Sequence, residues 1–147
     1  MNIREAKITD IKQIQLVRNS VKENTLSDPL LITDLDCEDF ICRRGKGWIC
    51  EIDERIVGFA IADLVNDNVW ALFLHPDFEG RGIGKKLQQT MLNWYFDTGK
   101  NSIWLGTSPG TRAEKFYTAS GWHRNGFNGK NELKFEMTKE KWLKLQS

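Results

Sequence analysis

The sequence predicts an α/β fold in which helices flank one sheet, within a single domain that covers residues 1–147. Short apolar segments bounded by turn residues alternate with segments whose apolar residues recur at helical spacing. The chain is long enough to enclose one substantial core and too short for two. It contains no repeat, low-complexity tract or linker rich in Pro, Gly or Ser at which it would divide.

The first elements are a strand over residues 1–6 and a helix that begins after Asp10, a residue type that caps helices. Apolar positions recur through that helix at helical spacing, so we expect its apolar face to pack inward. The pattern lapses over residues 22–31, and then Asp34 or Asp36 would cap a second, short helix. The inward side chains of that second helix are expected to be Leu35, Phe40 and Ile41.

Two strands follow, over residues 48–52 and 56–64, and they are joined by a turn at Asp53-Glu54. A second turn at residues 66–68 leads into a strand over residues 69–74. These segments predict a three-stranded antiparallel meander. The last of the three strands is almost continuously apolar, which is typical of a central strand covered on both faces.

The second half of the chain repeats the alternation of helix and strand. After Gly84, apolar residues recur at helical spacing up to Gly99, where the predicted helix ends. The remaining predicted elements are a strand over residues 101–107, a short helix over residues 111–120, a pair of strands that turn at Asn128-Gly129, and a last helix around Trp142.

Charge and composition narrow the range of partners. The formal net charge is +1, from 21 basic and 20 acidic side chains, so no broad field favours nucleic acid or an anionic membrane. No apolar run approaches the roughly 20 residues of a membrane span, and the N-terminal stretch MNIREAKITD lacks the apolar centre of a signal peptide. We therefore expect a soluble cytoplasmic protein that binds neither nucleic acid nor membrane.

The cysteines Cys37, Cys42 and Cys50 do not form a metal-ligand pattern. Their number is odd, their spacings match no zinc motif, and no histidine lies near them in the sequence. The prediction is buried or idle thiols and no metal site.

The stretch FEGRGIGKK, residues 78–86, has glycines at positions 80, 82 and 84 between a predicted strand and a predicted helix. A glycine-rich turn that opens a helix gathers backbone N–H groups without intrahelical partners, with the positive end of the helix dipole behind them. Glycine also lets a ligand approach this backbone closely, because it has no Cβ. The loop is therefore predicted to bind an anion, and a phosphate fits it.

Two well-known phosphate loops are disfavoured. A P-loop needs GxxxxGK followed by Ser or Thr, whereas Lys86 stands where that hydroxyl would be. A GxGxxG dinucleotide fingerprint that started at Gly80 would need its last glycine at Lys85. One that started at Gly82 would need it at Leu87. ATP and NAD are therefore disfavoured as ligands.

The stretch LFLHPDFEGRGIGKKL, residues 72–87, resembles the acyl-CoA loop of the GNAT acyltransferase superfamily. The signature of that loop is Gln or Arg, two residues, Gly, any residue, then Gly or Ala, and this chain departs from it with Glu79 in place of Gln or Arg. A second motif of the family resembles residues 112–122, although the family commonly has Asn where Gly110 stands. The residues that carry this second likeness are Arg112-Ala113, Phe116-Tyr117 and Gly121-Trp122.

The resemblance implies a GNAT-like fold: a central mixed, mostly antiparallel sheet flanked by helices and splayed between the strands around residues 69–74 and 101–107. It also implies acetyl-CoA as co-substrate, with the pyrophosphate in the loop and the pantetheine arm paired along the strand at Leu72 and Leu74. The cofactor-binding residues that it implies are Leu72, Phe73, Leu74, Glu79, Gly80, Arg81, Gly82, Ile83, Gly84, Lys85, Gly110, Ala113 and Phe116.

The activity that the resemblance implies is an N-acetyltransferase that passes an acetyl group directly to a primary amine. Tyr117 matches the family's general acid for the CoA thiolate, and the backbone N–H of Leu74 matches its donor to the oxyanion. No general base is assigned, because each candidate is explained more simply as a solvated charge at a strand edge. Those candidates are Glu51, Asp63 and Asp67.

The acceptor and the assembly stay open. A small-molecule or peptide amine is expected, and the acidic residues between positions 28 and 39 would suit a cationic one. Homodimers are frequent in the family. The alternative hypothesis is a catalytically silent acyl-CoA-binding or protein-interaction module of the same fold, which Glu79 and Gly110 favour and Tyr117 opposes.

Overall fold

The computed structural model describes residues 1–21 and 32–146. The chain divides into two compact units, Met1–Trp94 and Tyr95–Ser147. The predicted lapse over residues 22–31 lies outside the described residues. Across the described residues, no helix combines the length and the apolar character that crossing a membrane would need.

The first unit contains a sheet with helices beside it. Single 3₁₀ turns at Ile8–Asp10 and Pro76–Phe78 come before its first and third helices, and a π-helical turn at Phe40–Arg44 extends its second. The elements, in chain order, are β1 (Asn2–Glu5), α1 (Ile11–Ser20), α2 (Asp34–Asp39), β2 (Gly45–Ile52), β3 (Arg55–Asp63), β4 (Asn68–Leu74) and α3 (Ile83–Asp97), the last of which ends in the second unit.

The strands of the first unit lie in the order β1-β2-β3-β4, and each neighbouring pair is antiparallel. This confirms the predicted meander. At its first turn Asp53 and Glu54 have φ values of 52° and 65°, the pair of positive φ angles that a two-residue hairpin turn requires.

Strand β4 contains a bulge. Ile61 of β3 lies opposite Ala71, whereas the next β3 residue, Ala62, lies opposite Val69. Trp70 is therefore an extra residue on β4, without a directly opposed residue on β3.

The helices α1 and α2 pack on one face of the β2–β4 strands and form a core with them. The buried side chains of this core are Ile11, Ile14, Val17, Cys37 and Ile41 from the helices and Ile49, Ile56, Phe59, Ile61 and Ala71 from the strands. Asp10 occupies the N-cap position of α1 as predicted, but its carboxylate makes no capping hydrogen bond to this helix and instead accepts hydrogen bonds from Arg4 and from the backbone N–H of Lys7.

The second helix differs from the prediction at both its cap and its buried face. Thr33, rather than Asp34 or Asp36, is the N-cap, and its side chain accepts a hydrogen bond from the Asp36 N–H at 3.1 Å. Leu35 is 73% exposed, and Cys37 is the buried residue of this helix. Cys37 lies four residues before Ile41 and shares its inward face, whereas Leu35 does not.

On the other side of the sheet, α3 approaches β3 closely. A Cβ on Gly58 would lie 2.6 Å from the Leu74 side chain and 3.2 Å from that of Leu87, so glycine is needed for this contact. The prediction that β4 is covered on both faces is wrong for its second half. Val69 and Ala71 are buried, but residues 72–74 are only partly buried.

The second unit contains three described strands in the order β5-β7-β6, and each pair is antiparallel. Ile103, Leu105 and the alternating β7 side chains are buried, as the sequence predicts. The elements are β5 (Ser102–Thr107), α4 (Arg112–Ala119), β6 (His123–Asn128), β7 (Glu132–Thr138) and α5 (Lys139–Gln146), with Leu133, Phe135 and Met137 of β7 and Trp142 of α5 in the core.

Candidate active site

The chain leaves β4 through an ordered turn. The backbone N–H of His75 donates to the Val57 carbonyl at 2.8 Å, which holds the start of the turn against β3. The His75 Nδ1 accepts the Asp77 N–H at 3.2 Å, and its carbonyl accepts the Phe78 N–H at 2.9 Å. His75 therefore orders this turn through its side chain and both of its backbone polar groups.

The glycines of the loop are required by backbone geometry. Gly80 and Gly82 have φ values of 78° and 79°, a region that residues with a Cβ rarely adopt. A Cβ built on either would meet no heavy atom within 4 Å, so packing does not explain these glycines. The open space beside them is available to a ligand.

The charges at the start of α3 also point to an anion. The first turn of this helix contains no acidic residue and begins Ile83, Gly84, Lys85, Lys86, with both lysines exposed. Lysines at the positive end of a helix are unfavourable unless an anion lies there. The exposed Arg81 adds a further positive charge, with its guanidinium carbon 5.0 Å from the centre of the Phe78 ring. The loop therefore fits a pyrophosphate group, with partly buried Glu79 as its one acidic member.

The site residues in the second unit lie on α4 and the turn before it. Thr111 caps this helix, and its hydroxyl donates to the Ser108 carbonyl at 2.8 Å. Gly110 has a φ of 77°, and its N–H donates to Glu114 Oε1 at 2.6 Å. Since this N–H is already bonded within the chain, it does not replace the Asn that the family commonly has here. Ala113 and Phe116 are partly buried on the same helix.

Tyr117 is buried in an aromatic cluster of the second unit. Its ring centre lies 5.2 Å from that of Phe116, 5.5 Å from that of Trp122 and 6.2 Å from that of Phe135. Burial raises the pKa of the Tyr117 phenol well above its ordinary value. The phenol is therefore protonated at neutral pH and cannot serve as a base there.

Two of the possible bases have structural roles instead. Asp63 is fully buried and accepts hydrogen bonds from Arg44 Nε at 3.3 Å and Nη2 at 3.0 Å, and from the N–H of Val65 at 2.9 Å. Glu51 pairs with Arg4. Their expected description as solvated charges at strand edges is wrong, because both are bonded to arginines.

Sequence reasoning gave Arg18 no role. The structure buries it to 6% exposure on the core side of α1. An arginine four residues after Ile14, within the apolar stripe of the helix, was the signal that could have identified it. Among the described residues, no group of acidic, histidine or cysteine side chains could hold a metal ion.

The fold matches that of N-acetyltransferases. The structure is similar to that of the PaiA N-acetyltransferase from Thermoplasma acidophilum in complex with coenzyme A, with a TM-score of 0.81 at 16% identity over 93% of this chain and 98% of that one. It is also similar to the ribosomal-protein-S18-alanine N-acetyltransferase from Escherichia coli, with a TM-score of 0.72 at 16% identity over 92% of this chain and 90% of that one. The predicted α/β class, mostly antiparallel with flanking helices, is confirmed.

The chain belongs to the acetyltransferase (GNAT) family, whose model matches residues 9–122. Acetyl-CoA is the co-substrate of this class, so the predicted family, acyltransferase class and co-substrate are confirmed. A curated relative, an uncharacterized N-acetyltransferase ycf52-like from Prochlorococcus marinus, is 31% identical over 71 residues. That match covers 46% of this chain and 38% of the relative, so it spans less than half of either.

Proposed function

We propose that the protein is an N-acetyltransferase that moves an acetyl group from acetyl-CoA to a primary amine by direct attack. The observation that carries the proposal is the loop before α3, where Gly80 and Gly82 adopt positive φ beside open space at a lysine-bearing helix start. In a member of the GNAT family, this geometry supports binding of the CoA pyrophosphate by backbone N–H groups of residues 80–84. Arg81 and Lys85 would neutralise its charge from the rim.

Strand β4 would hold the pantetheine arm. The side chains of residues 72–74 are partly buried, so this end of the strand is more accessible than Val69 and Ala71. An extended chain can pair with the backbone of such a strand as an added strand would. Leu72, Phe73 and Leu74 are the residues that we assign to this contact.

The acetyl group is supplied as a thioester. The amine nitrogen forms a bond to the acetyl carbonyl carbon, the C–S bond breaks, the amine loses one proton and the CoA sulfur gains one. In our proposal Tyr117 donates that proton, because burial keeps its phenol protonated. The backbone N–H of Leu74 donates to the carbonyl oxygen as negative charge develops there.

The acceptor is proposed to be a small-molecule or peptide amine. One structure of similar fold, with a TM-score of 0.72 at 14% identity over 99% of this chain and 98% of that one, is of mutant forms of the spermidine/spermine N-acetyltransferase SpeG from Vibrio cholerae. We place the reaction in the cytoplasm and expect a homodimer through the edge of β6, where residues 123–127 are exposed.

A silent acyl-CoA-binding or interaction module is the second candidate function. The Gly110 N–H donates to Glu114, so one contact that the family makes with its cofactor is lost. This loss favours the silent module. A silent acyl-CoA-binding module predicts binding of CoA without turnover, an interaction module predicts neither, and the enzyme predicts both.

Thermal unfolding with acetyl-CoA, CoA, ATP or NAD tests the binding step. A ligand at about 100 times its dissociation constant stabilises a protein by roughly 2.7 kcal/mol, a shift of several degrees at this size. We expect the shift with acetyl-CoA and CoA but not with ATP or NAD. Release of free CoA thiol with a panel of amines then separates the enzyme from the silent module.

The Gly82→Val variant tests the loop. It should lose the shift, because a β-branched side chain is strained at positive φ and fills the space for the ligand. Gly129→Val is the matched control, since Gly129 has a φ of 69° and a Cβ there also meets nothing within 4 Å. Retention of the full shift in folded Gly82→Val would overturn the loop assignment.

A further inference from the structure

Arg18 lies in the last turn of α1 with its guanidinium against aromatic rings of the sheet. The guanidinium carbon is 4.7 Å from the Trp70 ring centre, 5.3 Å from that of Phe73 and 5.6 Å from that of Phe59. Such contacts stabilise a cation, and the end of a helix favours positive charge. They use the flat faces of a guanidinium, however, and do not provide hydrogen bonds to its edge.

That edge has unmet hydrogen bonds. Arg18 Nε and Nη2 are both buried, and within residues 1–21 and 32–146 neither has a hydrogen-bond partner. Burial lowers the pKa of the Arg18 guanidinium, the direction expected when a charge is removed from water. Burial also raises the pKa of the neighbouring Cys37 thiol, so that thiol stays uncharged at neutral pH and supplies no counter-charge. A buried guanidinium without hydrogen-bond partners or a counter-charge destabilises the fold unless an anion binds to it.

The guanidinium of Arg44 lies in similar surroundings, and its hydrogen bonds are satisfied by a carboxylate. Its guanidinium carbon lies 4.7 Å from the Phe40 ring centre, and Phe40 stacks on Trp70 with ring centres 3.8 Å apart and planes 8° from parallel. The Nε and Nη2 atoms of Arg44 hold both carboxylate oxygens of Asp63. Arg18 and Arg44 therefore contact the two ends of one Phe40–Trp70 stack. Among the described residues, the same pair of nitrogens has partners in Arg44 and none in Arg18.

The two atoms in question form the side-on fork of a guanidinium. This fork donates two parallel hydrogen bonds to a planar carboxylate, which is why arginine is favoured wherever carboxylates are bound in that manner. A phosphate can also accept two hydrogen bonds from this fork. The pair of Arg44 with the Asp63 carboxylate favours a carboxylate at the corresponding edge of Arg18.

Arg18 lies beside the strand to which we assign the pantetheine arm of acetyl-CoA. Phe73, which its guanidinium contacts, stands between Leu72 and Leu74, the residues assigned to the pantetheine arm. A carboxylate bound at Arg18 would therefore leave an amine of the same small molecule close to β4.

Three of the acidic residues that suggested a cationic acceptor have other partners. Asp34 accepts a hydrogen bond from Gln15 at 3.5 Å, Asp36 accepts the Thr33 N–H at 2.9 Å, and Asp39 pairs with Arg43 at 2.8 Å. Asp28 lies outside the described residues. These contacts support the helix caps and a surface pair rather than a site for a cation.

We propose that the acceptor carries a carboxylate near its amine, as an amino acid does, and that Arg18 binds this carboxylate through parallel hydrogen bonds from Nε and Nη2. The inference rests on the proposed acetyl transfer. It replaces the broad class of primary amines with amines that also bear a negative charge.

Pairs of amino acids and their decarboxylated amines test the proposal in the unmodified protein. Suitable pairs are lysine and cadaverine, phenylalanine and phenethylamine, and ornithine and putrescine, each with acetyl-CoA and a thiol-release readout. We expect kcat/KM to be about 10- to 100-fold higher for the amino acid in at least one pair, the range expected for charged hydrogen bonds. Equal values within every pair that reacts would overturn the inference and leave the acetyl transfer intact.

Variants of Arg18 locate the effect. Arg18→Gln should lose the preference for the amino acid mainly through a higher KM, and Arg18→Lys, which keeps charge without the fork, should recover part of it. Arg44→Lys is the matched control at the other end of the stack and should lose stability but keep the preference. An unchanged preference in folded Arg18→Gln would overturn the assignment.

The thermal shift with acetyl-CoA separates the two proposals. It should be the same in the Arg18 variants as in the parent. Absence of both this shift and any transfer in the parent would overturn the proposed function, and the inference with it.

Discussion

Tyr117 is buried, and in the proposed reaction its phenol donates the proton that the CoA sulfur gains. The surrounding rings fix the phenol in position and exclude water, and the same burial raises its pKa. A phenol so placed is poor at accepting a proton from an amine but remains a donor through the neutral range. Its surroundings therefore keep the phenol protonated and leave deprotonation of the acceptor to another group or to solvent.

Replacing Tyr117 with Phe should lower kcat about 100-fold or more, the usual contribution of a positioned acid, without changing the KM for acetyl-CoA. The measurement is steady-state kinetics with thiol detection between pH 6 and 9. Because the pKa is raised from 10.0, the parent should show no loss of rate from ionisation of this phenol in that interval. Tyr95→Phe is the control, since Tyr95 donates to the Ser102 carbonyl and should affect stability alone. An equal kcat in parent and Tyr117→Phe would remove Tyr117 from the mechanism.

Helix α2 shows how far local sequence determines an element. It is six residues long, too short to be stable alone, and its N-terminus is closed by reciprocal hydrogen bonds between Thr33 and Asp36. The π-helical turn Phe40–Arg44 then carries the chain into β2 and places Arg44 for its pair with Asp63. The cap and the turn together position the residues that stack on β4.

Thr33→Ala should destabilise the protein by about 1 kcal/mol, because it removes the side chain that accepts the Asp36 N–H. Leu35→Ala on the same helix should change stability by less than about 0.5 kcal/mol, since Leu35 is 73% exposed. Urea unfolding of the two variants provides the comparison. A larger loss for Leu35→Ala would contradict the assigned cap and buried face.

The sequence predicted most strands and helices of the described chain because their periodicity is local. It also predicted the glycine loop, since the positive φ of Gly80 and Gly82 requires a residue type that is visible in the sequence. Leu35 was misassigned because Cys37, four residues before Ile41, shares the inward face of the helix and Leu35 does not. The open edge of Arg18 was not predictable, because it depends on which side chains reach the guanidinium from distant strands.

The stability of the molecule in acid should depend on an arginine that joins two elements to β1. Arg4 of β1 bonds to Asp10, just before α1, with N–O distances of 2.8 and 2.9 Å, and it also pairs with Glu51 of β2. Hydrogen bonding to Arg4 holds the pKa of Asp10 below its ordinary value of 3.8. Because the folded pKa is depressed, this contribution to stability is present above about pH 4 and is lost as the pH falls through the folded value.

Asp10→Asn should therefore lower the free energy of unfolding at pH 7 by roughly 1.5–3 kcal/mol, the range for hydrogen bonds to a charged group. At a pH below the folded pKa of Asp10, the parent should lose the same contribution and the two proteins should converge. Denaturant unfolding at several pH values measures the difference. A gap between the parent and the variant that stays constant down to the lowest pH would contradict the role of this carboxylate.

The bulge at Trp70 changes how β4 must be compared with other strands. In a regular strand, residues three apart point to opposite faces, yet Trp70 and Phe73 both contact Arg18. The extra residue shifts the alternation of side chains by one position. Residues an odd number of positions apart across the bulge therefore point to the same face of the sheet. An alignment that matches β4 to an unbulged strand without a gap would assign Trp70 to the wrong side of the sheet. The contact between Trp70 and Arg18 would then be missed when this chain is compared with a relative that lacks the bulge.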